Sequence, residues 1–194
     1  GVADDRKAEA REVLGSVVAR LSPEVTTTVR INAGWDAASL DLDAAVIPGV
    51  SALHLALCED PDHVQKVADR VSQLETERAI APGAVRLIAM LESPTALLLA
   101  REIATASPRM AGLTLGMEDY ATTMGTTPNA DLLRPACYQI TQAARAAGIA
   151  PLAVPAPMAN FRDAEEMDSA AGWARRIGAV GGYAVHPVQV EILN

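Results

Sequence analysis

Short, nearly continuous apolar segments alternate along the chain with longer segments whose apolar residues recur about every 3.6 positions. The short segments span residues 27–32, 52–57, 85–91, 112–116, 149–154 and 182–185. The longer segments span residues 5–21, 61–74, 94–106, 128–147 and 163–177. Short apolar runs without alternation are typical of strands covered on both faces, as in a parallel sheet. The pattern therefore predicts an α/β protein built from repeated strand–helix units.

Residues suited to helix ends flank the predicted helices. At three positions an acceptor side chain precedes a proline, which predicts an N-cap followed by the first helical residue. These pairs are Asp60-Pro61, Ser93-Pro94 and Thr127-Pro128. Asp163 and Glu166 have the spacing of a capping box. Gly148 and Gly178 follow predicted helices, at the position where a left-handed residue commonly ends a helix.

Two architectures accept repeated right-handed strand–helix–strand units, a doubly wound open sheet and a (β/α) barrel. A complete eight-stranded barrel usually takes about 250 residues, whereas this chain has 194 residues, which we expect to form one domain over residues 1–194. Length alone therefore leaves both architectures open. No Gly-x-Gly-x-x-Gly follows a predicted strand and no Gly-Lys-Ser is present, so the sequence does not favour a dinucleotide or nucleoside-triphosphate site.

Composition restricts the partners and the compartment. The net charge is −8 and Lys7 and Lys66 are the only lysines, which argues against a nucleic acid or an anionic membrane as partner. No apolar run reaches about 18 residues and no signal-peptide pattern is found. Cys58 and Cys137 lie in apolar surroundings, as expected of two buried thiols. We expect a cytoplasmic protein.

Acidic side chains follow two of the predicted strands. The carboxyl ends of parallel strands meet at one edge of the fold, where Glu92 follows the third strand and Asp119 the fourth. Two carboxylates from neighbouring strands suit Mg²⁺, which takes one or two protein carboxylates together with waters and substrate oxygens. In the alternative, Glu92 accepts backbone N–H groups at its helix start and Asp119 caps a turn.

Basic and histidine side chains at the strand ends allow more than one interpretation. Arg30 lies within an apolar strand and either pairs with a carboxylate or donates to a substrate carboxylate or developing oxyanion. His186 follows the last predicted strand, and we favour a structural role over that of a general base. His54 and His63 show no metal-binding spacing and are interpreted as ordinary residues.

Four segments, taken in order, resemble the citrate lyase β-subunit-like branch of the HpcH/HpaI aldolase family. They are residues 29–32 (Val-Arg-Ile-Asn), 87–93 (Leu-Ile-Ala-Met-Leu-Glu-Ser), 112–119 (Gly-Leu-Thr-Leu-Gly-Met-Glu-Asp) and 184–190 (Ala-Val-His-Pro-Val-Gln-Val). The resemblance runs in register over essentially the whole chain. The Gly-x-Glu-Asp segment is its most specific part, since the pyruvate-aldolase branch typically has Pro-Ala-Asp there.

The resemblance implies a (β/α)₈ TIM barrel, of which about six strand–helix units are visible here, and a bound Mg²⁺. It assigns the metal to Glu92 and Asp119 and gives Arg30 a catalytic role at the substrate carboxylate or the thioester oxygen. It also assigns substrate binding to backbone N–H groups of Gly116, Met117 and Glu118. The implied assembly is a homo-oligomer, a trimer or a hexamer.

The activity that the resemblance implies is cleavage or formation of a carbon–carbon bond in a 3-hydroxy acyl-CoA thioester, such as citryl-, malyl- or citramalyl-CoA. The substrate would be such a CoA thioester or a small carboxylic acid. One alternative is a class II pyruvate-type aldolase, which the Glu118-Asp119 pair disfavours. The other is a non-catalytic citrate-lyase-like subunit that acts through assembly.

The chain also departs from the family pattern. The family's first strand, first helix and the acidic motif ending its second strand would precede Gly1, and its C-terminal extension would follow Asn194, so we expect a barrel incomplete at both ends. The family's lysine after the fourth strand is Leu57 here. The acid commonly found after the seventh strand has no counterpart in residues 154–157 (Val-Pro-Ala-Pro). The predicted mouth is therefore less polar than is usual in the family.

Overall fold

The structure is a computed structural model that describes residues 2–21, 25–157, 160 and 162–194. Its strands are β1 (Thr27–Ile31), β2 (Val50–Leu55), β3 (Arg86–Leu91), β4 (Met110–Leu115) and β5 (Ala150–Leu152). Its α-helices are α1 (Lys7–Arg20), α2 (Trp35–Ala45), α3 (Pro61–Glu77), α4 (Pro94–Leu98), α5 (Ala100–Thr105), α6 (Met117–Thr123), α7 (Ala130–Ala146), α8 (Ala164–Ile177) and α9 (Pro187–Leu193). A short 3-10 turn at Asp4–Arg6 precedes α1. No helix in these ranges is long and apolar enough to cross a lipid bilayer.

The five strands form one parallel sheet in the sequential order β1-β2-β3-β4-β5. A doubly wound sheet reverses its strand order at a switch point, and no reversal occurs among these strands. Sequential addition of parallel strands, with helices between them, is the topology of a (β/α) barrel. The predicted fold class is therefore confirmed, and the open doubly wound alternative is wrong.

The sixth predicted strand, at residues 182–185, is wrong as a strand. An isolated parallel bridge joins Leu152 to Gly181 beyond β5. The backbone N–H groups of Val185 and His186 then donate to Oε1 of Gln189, at 2.8 and 3.2 Å. Because these groups cap α9, they are not available to a strand ladder.

The two faces of the sheet differ in cover. Leu53, Leu87 and Leu113 lie on one face by register and are fully buried. On the other face a row runs across the strands through Arg30, His54, Ile88 and Gly112. Thr28 and Arg30 of β1 are exposed on that face. The expectation of cover on both faces is therefore wrong for β1.

Most predicted helix ends are confirmed. Asp60 and Ser93 accept the N–H groups of His63 and Ala96, at 2.8 and 3.1 Å, as N-caps of α3 and α4. Asp163 accepts the Glu166 N–H at 2.9 Å at the start of α8. The predicted capping box is only half formed, because the Asp163 N–H donates to the Asn160 carbonyl and not to Glu166. The helix ends at Gly148 and Gly178 have positive φ, 70° and 94°. These last two residues occupy the conformation in which glycine carries no steric penalty.

Two helix predictions need correction. The predicted cap at Thr127-Pro128 is wrong, because α7 begins at Ala130 and the side chain of Asn129 accepts the Leu132 N–H at 3.1 Å. The single helix predicted over residues 94–106 is two helices, α4 and α5, which meet at Leu99. Helices α2, α6 and α9 had no counterpart in the predicted elements.

A buried ion pair joins the C-terminal part of α3 to the loop before β4. Both oxygens of Glu75 accept from the Arg109 guanidinium, at 2.9 and 2.5 Å. The N–H groups of Gly83 and Val85 also donate to Glu75, each at 2.9 Å. Burial by itself raises the pKa of Glu75, but Arg109 and the two N–H groups lower it by more, so the pKa lies below its ordinary value.

Candidate active site

Glu92 lies directly after β3, with its carboxylate buried between neighbouring strand ends. Its side chain is only 5% exposed, and Oε2 accepts the N–H of Leu57 from the loop after β2 at 2.5 Å. A Cβ added to Gly116, after β4, would lie 2.2 Å from Oε1 of Glu92. The Glu92 carboxylate therefore fits beside the backbone of residue 116 only because glycine has no Cβ.

Asp119 approaches Glu92 from the first turn of α6. Burial raises the pKa of Glu92, and the charge of Asp119 and a hydrogen bond between the two side chains raise it further. The Leu57 N–H and the charge of Arg30 oppose this rise, but the pKa remains above its ordinary value. Glu92 is buried and Asp119 is exposed beside it. Two carboxylates held close together favour a proton or a cation between them. A divalent cation therefore fits this pair.

The structural alternative predicted for the two acids does not describe them. Glu92 accepts no N–H from its own helix start, where Ser93 is the N-cap of α4; its backbone donor is Leu57, from another loop. Asp119 lies within α6, after the N-cap residue Gly116. In the ranges that the structure describes, no three His, Cys, Asp or Glu side chains gather as a metal site. A cation here would complete its shell with water and substrate oxygens.

Arg30 lies on β1 and lines the same cavity as Glu92 and Asp119. Its positive charge opposes the rise in the pKa of Glu92. Burial lowers the pKa of His54, and the charge of Arg30 lowers it further. Among the described residues, no carboxylate oxygen lies within 4.0 Å of the Arg30 guanidinium. The predicted ion pair is therefore not formed, and the guanidinium is free to donate to a ligand.

The cavity that these residues share has a volume of about 640 Å³. Small-molecule sites commonly fall in the range of about 300–1,000 Å³. Besides Arg30, Glu92 and Asp119, its polar lining includes Lys7, Arg11, Asn32 and Asp41. Apolar side chains, among them Leu57, complete the wall. The cavity can therefore receive an anionic ligand that also carries an apolar part.

The three residues predicted to bind substrate through their backbone are placed differently. The N–H of Gly116 donates to the Leu91 carbonyl at 3.0 Å, as part of the β3–β4 ladder, so it is not available to a ligand. Met117 is buried and Glu118 half-buried in the first turn of α6. The N–H groups of a first helical turn have no partner within the helix. Substrate binding by Met117 and Glu118 stays a prediction.

Sequence reasoning missed two features of the site. The first is the main chain of Leu57, which has φ +45° and donates to Glu92. The second is Asp41 of α2, which is buried and bonds both Asn32 and Arg11. Asp41 could have been found from its position among the apolar residues of α2, because a buried aspartate needs partners. A main-chain donor such as the Leu57 N–H cannot be identified from residue types.

The histidines have structural roles. His54 is buried, with Nε2 at 3.1 Å from the Thr28 hydroxyl and Nδ1 at 2.7 Å from the Tyr183 hydroxyl. Nδ1 of His186 accepts the Val188 N–H at 3.3 Å in the cap of α9. Burial lowers the pKa of His54 and of His63. The structural interpretation of His186 is thus supported.

Both cysteines are buried, as predicted. Burial raises the pKa of Cys58 and of Cys137 to about 12. Only the thiolate is nucleophilic. Neither thiol is therefore suited to act as a nucleophile.

A sequential parallel sheet with an arginine and two carboxylates around one cavity at its carboxyl edge is typical of one class of proteins, those built as (β/α) barrels. A family profile described as HpcH/HpaI aldolase/citrate lyase matches residues 1–187. The chain belongs to this family, which confirms the resemblance found in the sequence.

Similar proteins agree with this assignment. The citrate lyase β subunit of Haemophilus influenzae is 31% identical over 177 residues, which cover 90% of this chain and 60% of that protein. The chain thus spans about 60% of the length of this curated relative.

Two solved structures from Mycobacterium tuberculosis have the same fold. CitE in complex with magnesium and acetate has a TM-score of 0.80 and 28% identity, over 99% of this chain and 75% of that one. A citrate lyase β subunit with oxaloacetate and magnesium has a TM-score of 0.76 and 29% identity, over 99% of this chain and 80% of that one. Magnesium and small carboxylic acids are thus bound by proteins of this fold and family.

Proposed function

We propose that the protein is a Mg²⁺-dependent carbon–carbon lyase acting on a 3-hydroxy acyl-CoA thioester of the citryl-, malyl- or citramalyl-CoA type. The observation that carries the proposal is the shared cavity of Arg30, Glu92 and Asp119, in which two acids lie together and the guanidinium is unpaired among the described residues. Glu92 and Asp119 would hold the metal. When bound, Mg²⁺ supplies Lewis-acid stabilisation of a carbonyl or carboxylate oxygen.

The side chains of this chain account for substrate placement and charge. As the bond between C2 and C3 of the thioester breaks, the C3 hydroxyl gives its proton to a base and becomes a carbonyl. The electron pair of the broken bond passes to the acetyl-CoA fragment as an enolate, which then takes up a proton to give acetyl-CoA. Arg30 would donate to the thioester oxygen or to the substrate carboxylate through its planar fork. The Leu57 N–H keeps the Glu92 carboxylate in place, so the acid need not reorganise during the reaction.

A non-catalytic subunit that acts through assembly is the second candidate function. The observation that favours it is Leu57, which is 43% exposed and gives the cavity an apolar wall beside Glu92, where the family has a lysine. A class II pyruvate-type aldolase is disfavoured by the Glu118-Asp119 sequence.

We also propose how the protein is organised. Residues 1–194 would form one barrel-type domain that assembles as a homo-oligomer, a trimer or a hexamer. Exposed apolar side chains on α1, at Val13 and Val17, support such contacts. Two buried free thiols support a reducing, cytoplasmic compartment.

Two measurements test the proposed function. Mg²⁺ is titrated calorimetrically into the wild type, into Glu92→Gln and into Glu102→Gln, a matched substitution of an exposed acid on α5. We expect binding to be lost only in Glu92→Gln. The proteins are then incubated separately with malyl-CoA, citramalyl-CoA and citryl-CoA, and acetyl-CoA release is followed.

Each outcome separates the candidate functions. Metal-dependent release of acetyl-CoA supports the lyase. Metal binding without release from any of these thioesters, citryl-CoA included, supports the non-catalytic subunit. Equal Mg²⁺ binding by wild type and Glu92→Gln would remove the carboxylate pair from the metal site and with it the proposal.

A further inference from the structure

A buried carboxylate fixes the polar residue at the end of β1. Oδ2 of Asp41 accepts both the main-chain N–H of Asn32, at 2.7 Å, and its side-chain Nδ2, at 2.5 Å. Oδ1 of Asp41 accepts Nε of Arg11 from α1 at 2.7 Å. Asp41 is only 9% exposed. Asn32 is therefore held at two points by one oxygen, and that oxygen is anchored in turn by an arginine.

These bonds set which end of the Asn32 amide faces the ligand. A carboxylate that already receives a guanidinium and a main-chain N–H accepts but does not donate, so the amide must turn its NH₂ towards Asp41. Among the described residues nothing donates to Oδ1 of Asn32, and no buried side-chain oxygen lacks a partner. Oδ1 is therefore accessible, and Asn32 lines the cavity.

This oxygen is chemically distinct within the cavity. Arg11, Arg30 and Lys7 can only donate hydrogen bonds. Glu92 and Asp119 are acceptors, but the proposed function commits them to the cation. Oδ1 of Asn32 is thus a neutral acceptor of fixed direction, and it suits a ligand hydroxyl rather than a ligand carbonyl or carboxylate.

We propose that Asn32 is the residue that recognises the hydroxyl group of the substrate, and that Asp41 is a positioning residue that holds the Asn32 amide with its oxygen towards the cavity. The inference rests on the proposed function, whose thioester substrates carry a hydroxyl at C3. It adds a specificity: the hydroxylated ligand is preferred to the corresponding keto compound, because a keto oxygen cannot donate to Oδ1.

Paired ligands test this inference. Racemic malate and freshly dissolved oxaloacetate share a carbon skeleton and differ in a hydroxyl or a carbonyl at C2. Their dissociation constants are measured at saturating Mg²⁺ by calorimetry for the wild type, Asn32→Ala and Asp41→Asn. Asn129→Ala serves as matched control, because Asn129 caps α7 and does not line the cavity.

We expect Asn32→Ala to weaken malate binding about tenfold, the worth of one hydrogen bond, and to leave oxaloacetate binding within about twofold. Asp41→Asn keeps the shape of the side chain but can donate, so the Asn32 amide is no longer held in one orientation. The preference for malate should then fall several-fold. Asn129→Ala should change the melting temperature but not the ratio of the two constants.

Other results would overturn the inference. An equal loss for both ligands would indicate a structural role for Asn32, and a loss of Mg²⁺ affinity in Asn32→Ala would place its oxygen near the metal instead. A wild type that binds malate no better than oxaloacetate, or binds neither, would also overturn it. Acetyl-CoA release by the wild type is measured separately: a preference that depends on Asn32, without release, would contradict the lyase and leave this inference standing.

Discussion

At the scale of single residues, the site depends on a close approach that only glycine permits. Gly116 faces Glu92 so closely that any Cβ would lie within 2.7 Å of three side-chain atoms of the acid. We predict that Gly116→Ala displaces the Glu92 carboxylate and weakens Mg²⁺ binding at least tenfold, because the pair with Asp119 is broken. Calorimetric titration of Mg²⁺ measures this effect.

Gly15→Ala is the matched control for this substitution. Gly15 lies within α1, and a Cβ added there meets nothing within 4 Å. Alanine in a helix interior is favoured over glycine by about 1 kcal/mol. Gly15→Ala should therefore raise stability and leave Mg²⁺ binding unchanged. Wild-type metal affinity in Gly116→Ala would contradict the role given to Gly116.

The sequence predicted which side chains meet at one cavity, but not which main-chain N–H groups are free there. Glu92, Asp119 and Arg30 could be placed at one mouth because parallel strands share a carboxyl edge. The Gly116 N–H was assigned to the substrate but lies in the β3–β4 ladder. Strand register decides which amides are free, and an apolar run does not specify register to one residue.

At the scale of elements, the Glu75–Arg109 pair gives stability a defined dependence on pH. We predict that Arg109→Met destabilises the fold by about 3–5 kcal/mol at pH 7, because it leaves the Glu75 charge buried without its cation. Denaturant unfolding of the wild type and Arg109→Met measures the difference. Arg101→Met, at an exposed position on α5, is the control and should have little effect.

The Glu75–Arg109 pair also determines whether the free energy of unfolding rises or falls with pH. The pKa of Glu75 lies below its ordinary value of 4.5, so its stabilisation is complete above that pH and is lost as the pH falls through the lower, folded-state pKa. A protonated Glu75 needs no cation. The difference in unfolding free energy between wild type and Arg109→Met should therefore become smaller below pH 4.5. A difference that stays constant down to pH 3 would contradict the role given to the Glu75–Arg109 pair.

Ser93 connects the start of α4 to the loop after β2, which contains Glu59. Its hydroxyl accepts the Ala96 N–H at 3.1 Å and donates to Glu59 at 2.6 Å. We predict that Ser93→Ala lowers the free energy of unfolding by about 1 kcal/mol, since an N-cap is lost. Denaturant unfolding tests this, with Ser16→Ala on exposed α1 as control. A larger loss in Ser16→Ala would contradict the capping role.

Element prediction followed the strength of the local signals. Asp60 and Ser93 mark their helices correctly because a proline follows each acceptor. At Thr127-Pro128 the same signal failed, because Asn129 provides a competing cap two residues later. Helix α2 was missed although its buried face includes Ala38, Leu42 and Ala45. The intervening Asp41 and Asp43 weaken the apolar period there.

At the scale of the whole molecule, a metal that binds only the folded state should raise the free energy of unfolding of the protein. We predict that Mg²⁺ at one hundred times its dissociation constant raises the free energy of unfolding by about 2.7 kcal/mol. Thermal unfolding with Mg²⁺ and with a chelator measures the shift. Glu92→Gln should abolish it, whereas an equal shift in that variant would point to binding elsewhere.

The sequence predicted parallel strand–helix units but did not choose between barrel and open sheet. Both architectures use the same right-handed crossovers and differ in the edge to which each new strand is added. Apolar periodicity does not encode that edge. The resemblance favoured the barrel, and the sequential order of β1 to β5 confirms it.

Leu57 contributes to the site through two separate groups, its main-chain N–H and its side chain. The peptide N–H steadies the acid, while the side chain, 43% exposed, borders the cavity. A substitution at this position can thus change the wall of the cavity while the peptide N–H that holds Glu92 stays in place. Residue 57 is therefore a position at which the cavity can be reshaped independently of the acid beneath it.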